Sequence, residues 1–93
     1  MEKAKIQSII ESILFVATEP VTLGRFREVI GKEEIVQIKE ALATLQEEYC
    51  HESHGISLEE VAGGYQLRTK EENASFVISY KKIRPQRLSK PAL

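Results

Sequence analysis

A chain of 93 residues, 42% hydrophobic and 29% charged, has material for one small domain with a core of its own and not for two. Thirteen basic against 14 acidic residues leave a net charge of −1, which argues against both a globally basic nucleic-acid binder and a disordered polyelectrolyte. The single cysteine, Cys50, excludes an internal disulfide framework and suits a reducing cytosol, and the longest apolar run, Ile13 to Ala17, falls far short of the roughly 20 residues of a membrane span.

In the first segment Lys3 and Lys5 precede apolar residues, but Glu2 and Glu11 interrupt the pattern and no small-residue cleavage site follows, so no secretory leader is expected. Ile6, Ile9, Ile10, Ile13, Leu14 and Ala17 recur with the spacing of one helix face, which predicts a first helix. Pro20 lacks a backbone donor and biases Glu19 toward extended geometry, so that helix should stop near Thr18 and Val21 should be extended. Thr22 is placed to cap a second, short helix carrying Leu23, Phe26, Val29 and Ile30, closed at Gly31. Gly24, just inside it, is a poor helix former at that position.

A third helix is read from Ile35, Ile38, Leu42, Leu45 and Tyr49, with Glu33 and Glu34 at the positive end of its dipole and a stop near His51. Its two heptads are too few for a coiled coil, so the apolar stripe is read as a core face. After Gly55 the period becomes alternating. Ile56, Leu58, Ala62, Tyr65, Leu67 and Thr69 would share one face of a hairpin closed by a two-residue turn at Gly63-Gly64. That register sets Ala62 opposite Tyr65, Val61 opposite Gln66 and Glu59 opposite Arg68, and leaves Glu60 as a misfit on the apolar face. Thr69-Lys70-Glu71-Glu72 has the form of a capping box for a fourth helix with Phe76, Val77, Tyr80 and Ile83. Pro85 and Pro91 bracket a basic tail.

The order helix, short extended segment, helix, helix, hairpin, helix defines the fold class: α+β, mainly α, a winged helix, which is a helix-turn-helix variant whose wing is a two-stranded β-hairpin, followed by a C-terminal helix. Residues 1–83 form the domain; residues 84–93 read as a basic linker or the start of a second winged-helix domain.

The default function of that fold is duplex binding by the third helix. Between Lys32 and Glu52, however, two lysines face six glutamates, so this helix would be repelled by a polymer carrying one charge per roughly 1.7 Å of its axis. Basic charge collects instead at Arg68, Lys70, Lys81, Lys82, Arg84, Arg87 and Lys90, against Glu71 and Glu72. A weak, sequence-independent DNA contact through the wing and through Lys81, Lys82, Arg84, Arg87 and Lys90 is the alternative reading; a solvated linker is the plainer one.

Cys50, His51 and His54 lie close together, but a closed zinc site needs four ligands and the chain has no further cysteine or histidine, so no metal is expected. The histidines instead sit at the negative pole of the third helix, with Cys50 packed as a small apolar residue. Catalysis has still less support. The chain holds no aspartate, no nucleophile elbow and no phosphate-binding loop, and the adjacent Glu59 and Glu60 point to opposite faces of a strand. No enzyme and no cofactor are expected. Protein binding remains, with the wing residues Val61, Gly63, Gly64, Tyr65, Gln66 and Leu67, together with exposed apolar residues of the first helices, as the candidate interface; tyrosine beside a wing tip suits a contact surface, or else lies over the hairpin's inner face.

The stretches "IIESILFVATEPVTLGRFREVIG", "EVAGGYQLRT" and "RLSKPAL" resemble, in order and spacing, the bacterial segregation and condensation protein B family, ScpB. The resemblance covers nearly the whole chain. It implies a protein of two winged-helix domains that dimerises through the N-terminal one and binds the kleisin ScpA, which bridges the SMC ATPase in the bacterial condensin complex. On that resemblance the chain corresponds to the N-terminal domain and the start of its linker, works in the cytoplasm on the nucleoid in chromosome partition, and has no reaction of its own. Its implied partners are a second copy, the kleisin, and SMC indirectly through the kleisin.

Overall fold

The computed structural model describes residues 1–83. Its elements are α1 (Lys3–Val16), α2 (Leu23–Ile30), a 3-10 turn (Lys32–Glu34), α3 (Ile35–Glu48), β1 (Ile56–Val61), β2 (Gly64–Thr69), a second 3-10 turn (Glu71–Asn73) and α4 (Ala74–Ile83).

The core forms where the apolar stripes of the first three helices meet. Ile6, Ile10 and Leu14 of α1 are buried at successive i, i+4 steps against Ile38, Ala41, Leu42 and Leu45 of α3, while Phe26 of α2 and Leu58 of β1 close its two sides. The six larger fully buried side chains, Phe26, Ile6, Ile10, Ile38, Leu42 and Leu45, are each worth roughly 1.5–3 kcal/mol by removal from water. Helix α1 ends at Val16, two residues before the predicted stop, when Ala17 turns extended and donates to the Ile13 carbonyl at 3.0 Å. Thr22 caps α2 as expected, its Oγ1 accepting from the Arg25 N–H at 3.1 Å. Helix α3 ends at Glu48, earlier than the predicted His51, and Tyr49 caps it while its hydroxyl donates to the Glu11 carboxylate of α1.

Val21 is extended, as Pro20 requires, and it does more than connect. Its N–H donates to the Tyr65 carbonyl and its carbonyl accepts from the Tyr65 N–H, both at 2.8 Å, so it adds a one-residue third strand beside β2.

The hairpin corrects the predicted register. Val61 lies opposite Gly64, Glu60 opposite Tyr65, Glu59 opposite Gln66 and Leu58 opposite Leu67. The turn is therefore Ala62-Gly63, with φ of +52° and +79°, and not Gly63-Gly64. The reason lies outside the hairpin: a Cβ on residue 64 would stand 3.0 Å from Pro20 Cβ and from the Val21 carbonyl carbon and oxygen, so the second glycine is needed in β2 to let the Val21 segment approach. Because the shift changes each partner by two residues, the side chains that remain in the strands keep their faces, while Ala62, expected on the apolar face, moves into the exposed turn. Glu59 is not opposite Arg68. Ser57 is, and its hydroxyl donates to Glu59 at 2.8 Å, while Arg68 Nε donates to Gln66 at 3.3 Å. Glu60, the expected misfit, stands opposite Tyr65, whose phenol is pushed above its ordinary pKa first by burial and then by the charge of Glu60.

One further expectation is overturned, and the fourth helix is present as expected. No capping box forms, because Thr69 is held in β2 opposite Ile56 and Lys70, extended, precedes the next turn without a side-chain cap. Helix α4 exists but adds nothing to the core: none of its residues is buried, and Phe76 is 75% exposed.

Candidate functional site

Three surface features are available for recognition, and the backbone positions each of them. The first is the wing. Among the residues read as an interface, Val61, Tyr65, Gln66 and Leu67 are half-buried, Gly63 is exposed at the tip, and Gly64 is buried beneath Pro20 and Val21. Gly64 thus faces its own chain. Leu67 and Tyr65 pack against the core from β2.

The second is a cleft of about 430 Å³ between the end of α1 and the start of α2, lined by Val16 to Thr22 and by Arg25. Phe15 and Val16, 81% and 72% exposed, stand at that end of α1. They lie off the buried i, i+4 stripe of Ile6, Ile10 and Leu14, and that offset was the available sign that they face outward. The third is α4, where Phe76, Ile78, Tyr80 and Ile83 are exposed together with Lys81 and Lys82. Sequence reasoning found this helix and its apolar residues without saying what they face; the three consecutive apolar residues Phe76-Val77-Ile78 show that no single buried face accounts for them.

The surface of α3 and its flanks is acidic. Lys32 and Lys39 are exposed among the exposed Glu33, Glu40, Glu47, Glu48 and Glu52, and Glu34 is occupied by the amino terminus at 3.5 Å. A groove-reading helix needs the reverse balance, since phosphate neutralisation supplies most of the affinity for DNA. Of the alternative DNA contacts, Lys81 and Lys82 lie exposed on α4, and Arg84, Arg87 and Lys90 lie outside the described residues.

The histidine segment is occupied by its own turn. His51 Nδ1 lies 3.1 Å from the Ser53 N–H and 2.8 Å from its Oγ, the His51 carbonyl accepts from Lys70 Nζ at 2.8 Å, and the His54 ring meets Tyr49 edge-on at a centroid distance of 5.4 Å. Cys50 is exposed, not packed as a small apolar residue. Among the described residues no three His, Cys, Asp or Glu side chains are grouped to hold a metal ion. No helix among them is long and apolar enough to cross a membrane.

The fold and these surfaces define a winged-helix domain whose third helix is acidic and whose exposed aromatic side chains stand on the end of α1 and on α4. The chain belongs to the family of the segregation and condensation complex subunit ScpB, whose model matches residues 8–93. It is 38% identical over 93 residues to segregation and condensation protein B of Syntrophotalea carbinolica and 42% identical over 87 residues to that of Clostridium tetani, matching 100% and 92% of its own length. The chain spans about half the length of these relatives, 47% and 46%. It also resembles a solved structure described as a dimer of an ScpB N-terminal domain complexed with ScpA peptide, at 27% identity and a TM-score of 0.75, covering 83% of this chain and 95% of that one. The fold is shared with ScpB of Mycobacterium tuberculosis, at 17% identity and a TM-score of 0.79, over 100% of this chain and 55% of that one.

Proposed function

We propose that this chain is a non-catalytic scaffold module of the bacterial SMC–ScpA–ScpB condensin complex, pairing with a second copy of itself and supporting the binding of an ScpA-type kleisin in chromosome condensation and segregation. SMC, which hydrolyses ATP, is reached only through the kleisin, and the module works in the cytoplasm at the nucleoid. The observation that carries this reading is the likeness to the ScpB N-terminal domain solved as a dimer with ScpA peptide, a match that takes in 95% of that chain. The acidic surface of α3 supports it, because it disfavours the groove-reading use of the same fold.

The test is a titration of this chain into a fluorescently labelled ScpA-type kleisin, run beside a labelled mixed-sequence duplex at about 50 and 150 mM salt, where phosphate contacts differ strongly. Saturable kleisin binding with no duplex binding is the expected result. Duplex binding that weakens steeply with salt, without kleisin binding, would overturn the proposal and move function to the wing and basic tail.

A further inference from the structure

His51, just past the end of α3, is bonded through its backbone and its ring at once. Its N–H donates to the Glu48 carbonyl at 3.4 Å, and its own carbonyl accepts from the His54 N–H at 3.0 Å and from Lys70 Nζ at 2.8 Å. Its ring Nδ1 faces two groups of Ser53, the backbone N–H at 3.1 Å and the hydroxyl oxygen at 2.8 Å. Lys70 grips the far end of the same turn, since its N–H donates to the Gly55 carbonyl at 2.9 Å where β1 begins. One residue thus joins the end of α3, the turn into the wing and the segment that leaves β2.

The ring contact fixes a protonation state. A backbone N–H only donates, so Nδ1 must offer Ser53 its lone pair, and the proton of the neutral ring must then lie on Nε2. The two Ser53 groups differ in what they tolerate. The hydroxyl reverses its role when Nδ1 gains a proton, from donor to acceptor; the backbone N–H has no second role.

We infer that His51 is a proton-operated latch on the turn between α3 and the wing. With the ring neutral, Nδ1 holds the Ser53 N–H and the turn is closed. With the ring protonated, N–H meets N–H and the ring leaves the Ser53 amide. Histidine is the side chain that changes charge between about pH 5 and 8, so the latch works in a range that a cell visits. The groups around it act in two ways. The negative pole of α3, with Glu47 and Glu48 in its last turn and Glu52 beyond, attracts an imidazolium whichever way the ring points, and so does not keep it on Ser53. Glu48 is moreover turned to α1, where its carboxylate accepts from Gln7 Nε2 at 3.4 Å. Lys70, with Glu71 and Glu72 after it, approaches from the β2 side, and its ammonium on the His51 carbonyl repels a second positive charge on that residue. Cys50 and His54 complete the surroundings. The His54 ring meets those of Tyr49 and His51 edge-on, at 5.4 and 6.5 Å between centroids. Neither contact uses a lone pair, so titration of His54 should leave the Ser53 amide in place. Opening the latch loosens both the Ser53 bond and the Lys70 tether, which frees the base of the wing from the end of α3.

Nitrogen-15 spectra of the histidine rings and backbone amides of this chain, recorded from about pH 8 to about pH 5, test the latch. At the upper end the His51 ring should carry its proton on Nε2. On acidification the Ser53 amide signal should move with the midpoint of the His51 ring. Its exchange protection, corrected for the intrinsic rate, should fall by at most about tenfold, the worth of one such bond, while the amides of the α3 core stay protected. Asparagine offers a side-chain oxygen to the N–H two residues on and does not titrate, so His51→Asn should hold Ser53 equally at both ends of the range. His51→Ala should lose the protection at both ends, and His54→Gln should leave the response intact. A His51 ring protonated on Nδ1 at the upper end, a Ser53 amide indifferent to the His51 titration, or a response that persists in His51→Asn would overturn the latch. A response abolished by His54→Gln while His51 still titrates would overturn it as well and give the switch to His54.

Discussion

Gly63 and Gly64 read alike in the sequence, yet the structure gives them opposite requirements, and asparagine substitution separates them. At residue 64 a Cβ would stand 3.0 Å from three atoms, two of them Val21 backbone, so no side-chain rotation relieves the overlap. Pushing β2 outward costs about 1–3 kcal/mol, as overpacking does in an interior. Opening the Val21 bridge instead forfeits two hydrogen bonds of 2.8 Å, each worth about 0.5–1.5 kcal/mol net. These routes are alternatives, and the reduced freedom of the unfolded chain offsets about 0.4–1 kcal/mol of either, so Gly64→Ala should cost about 1–2 kcal/mol. In a domain of this size that lowers Tm by about 4–16 °C. At residue 63 nothing lies within 4 Å of the added Cβ, and only the φ of +79° matters.

Asparagine tolerates that left-handed conformation, so Gly63→Asn should stay within about 0.5 kcal/mol of the parent. Gly64→Asn, larger than alanine, should lose at least as much as Gly64→Ala. Urea unfolding followed by far-ultraviolet circular dichroism measures all three. The reasoning fails if asparagine is tolerated at 64 as well as at 63, for both substitutions suit a turn placed where the sequence alone puts it.

The turn also predicts a gain: Ala62 holds φ of +52° without being glycine, so Ala62→Asn, which makes an Asn-Gly turn, should stabilise by about 0.5 kcal/mol in the same urea assay. Thr22→Ala removes the oxygen that accepts from Arg25 and should lower stability by about 1 kcal/mol, with Thr22→Ser recovering most of it. The Tyr49 phenol is pushed up to about 12 by burial, then by its hydrogen bond to Glu11 and the charges of Glu11 and Glu48. Because the unfolded phenol gives up its proton near 10, this contribution to stability is complete below about pH 10 and is lost as the pH rises toward 12; melting curves over that range should flatten in Tyr49→Phe, and an unchanged slope would contradict the assignment.

Most of the fold was legible because the signals for it are local. The i, i+4 repeats found three core helices, Pro20 and Thr22 fixed the corner between α1 and α2, and alternation after Gly55 found the hairpin. What escaped depends on partners distant in sequence. The register turned on Val21 needing room beside residue 64, more than 40 positions away, and the capping box lost Thr69 to its pairing with Ile56. Both errors come from reading a short motif as though only its neighbours competed for it. For Ile56, Leu58, Tyr65 and Leu67 the inner face was nevertheless right, since a displacement of two residues preserves the alternation that burial selects, whereas Ala62 went into the turn and Thr69 is exposed.

The surface followed a different logic. Periodicity reports which residues share a face of a helix, but not whether another element covers that face. For α1 and α3 the chain supplies the cover, each helix burying the stripe of the other. For α4 no element among the described residues does so: the same kind of spacing that places Ile38, Leu42 and Leu45 in the core leaves Phe76, Tyr80 and Ile83 on an exposed face. The charge of α3 was readable at once because an exposed glutamate is acidic whatever surrounds it. Together these facts show how a fold widely used to read DNA can be redirected without altering its core. Exchanging the basic surface of one helix for an acidic one removes the attraction to phosphate, and leaving apolar side chains uncovered on another helix supplies a different attraction, one that salt should scarcely weaken.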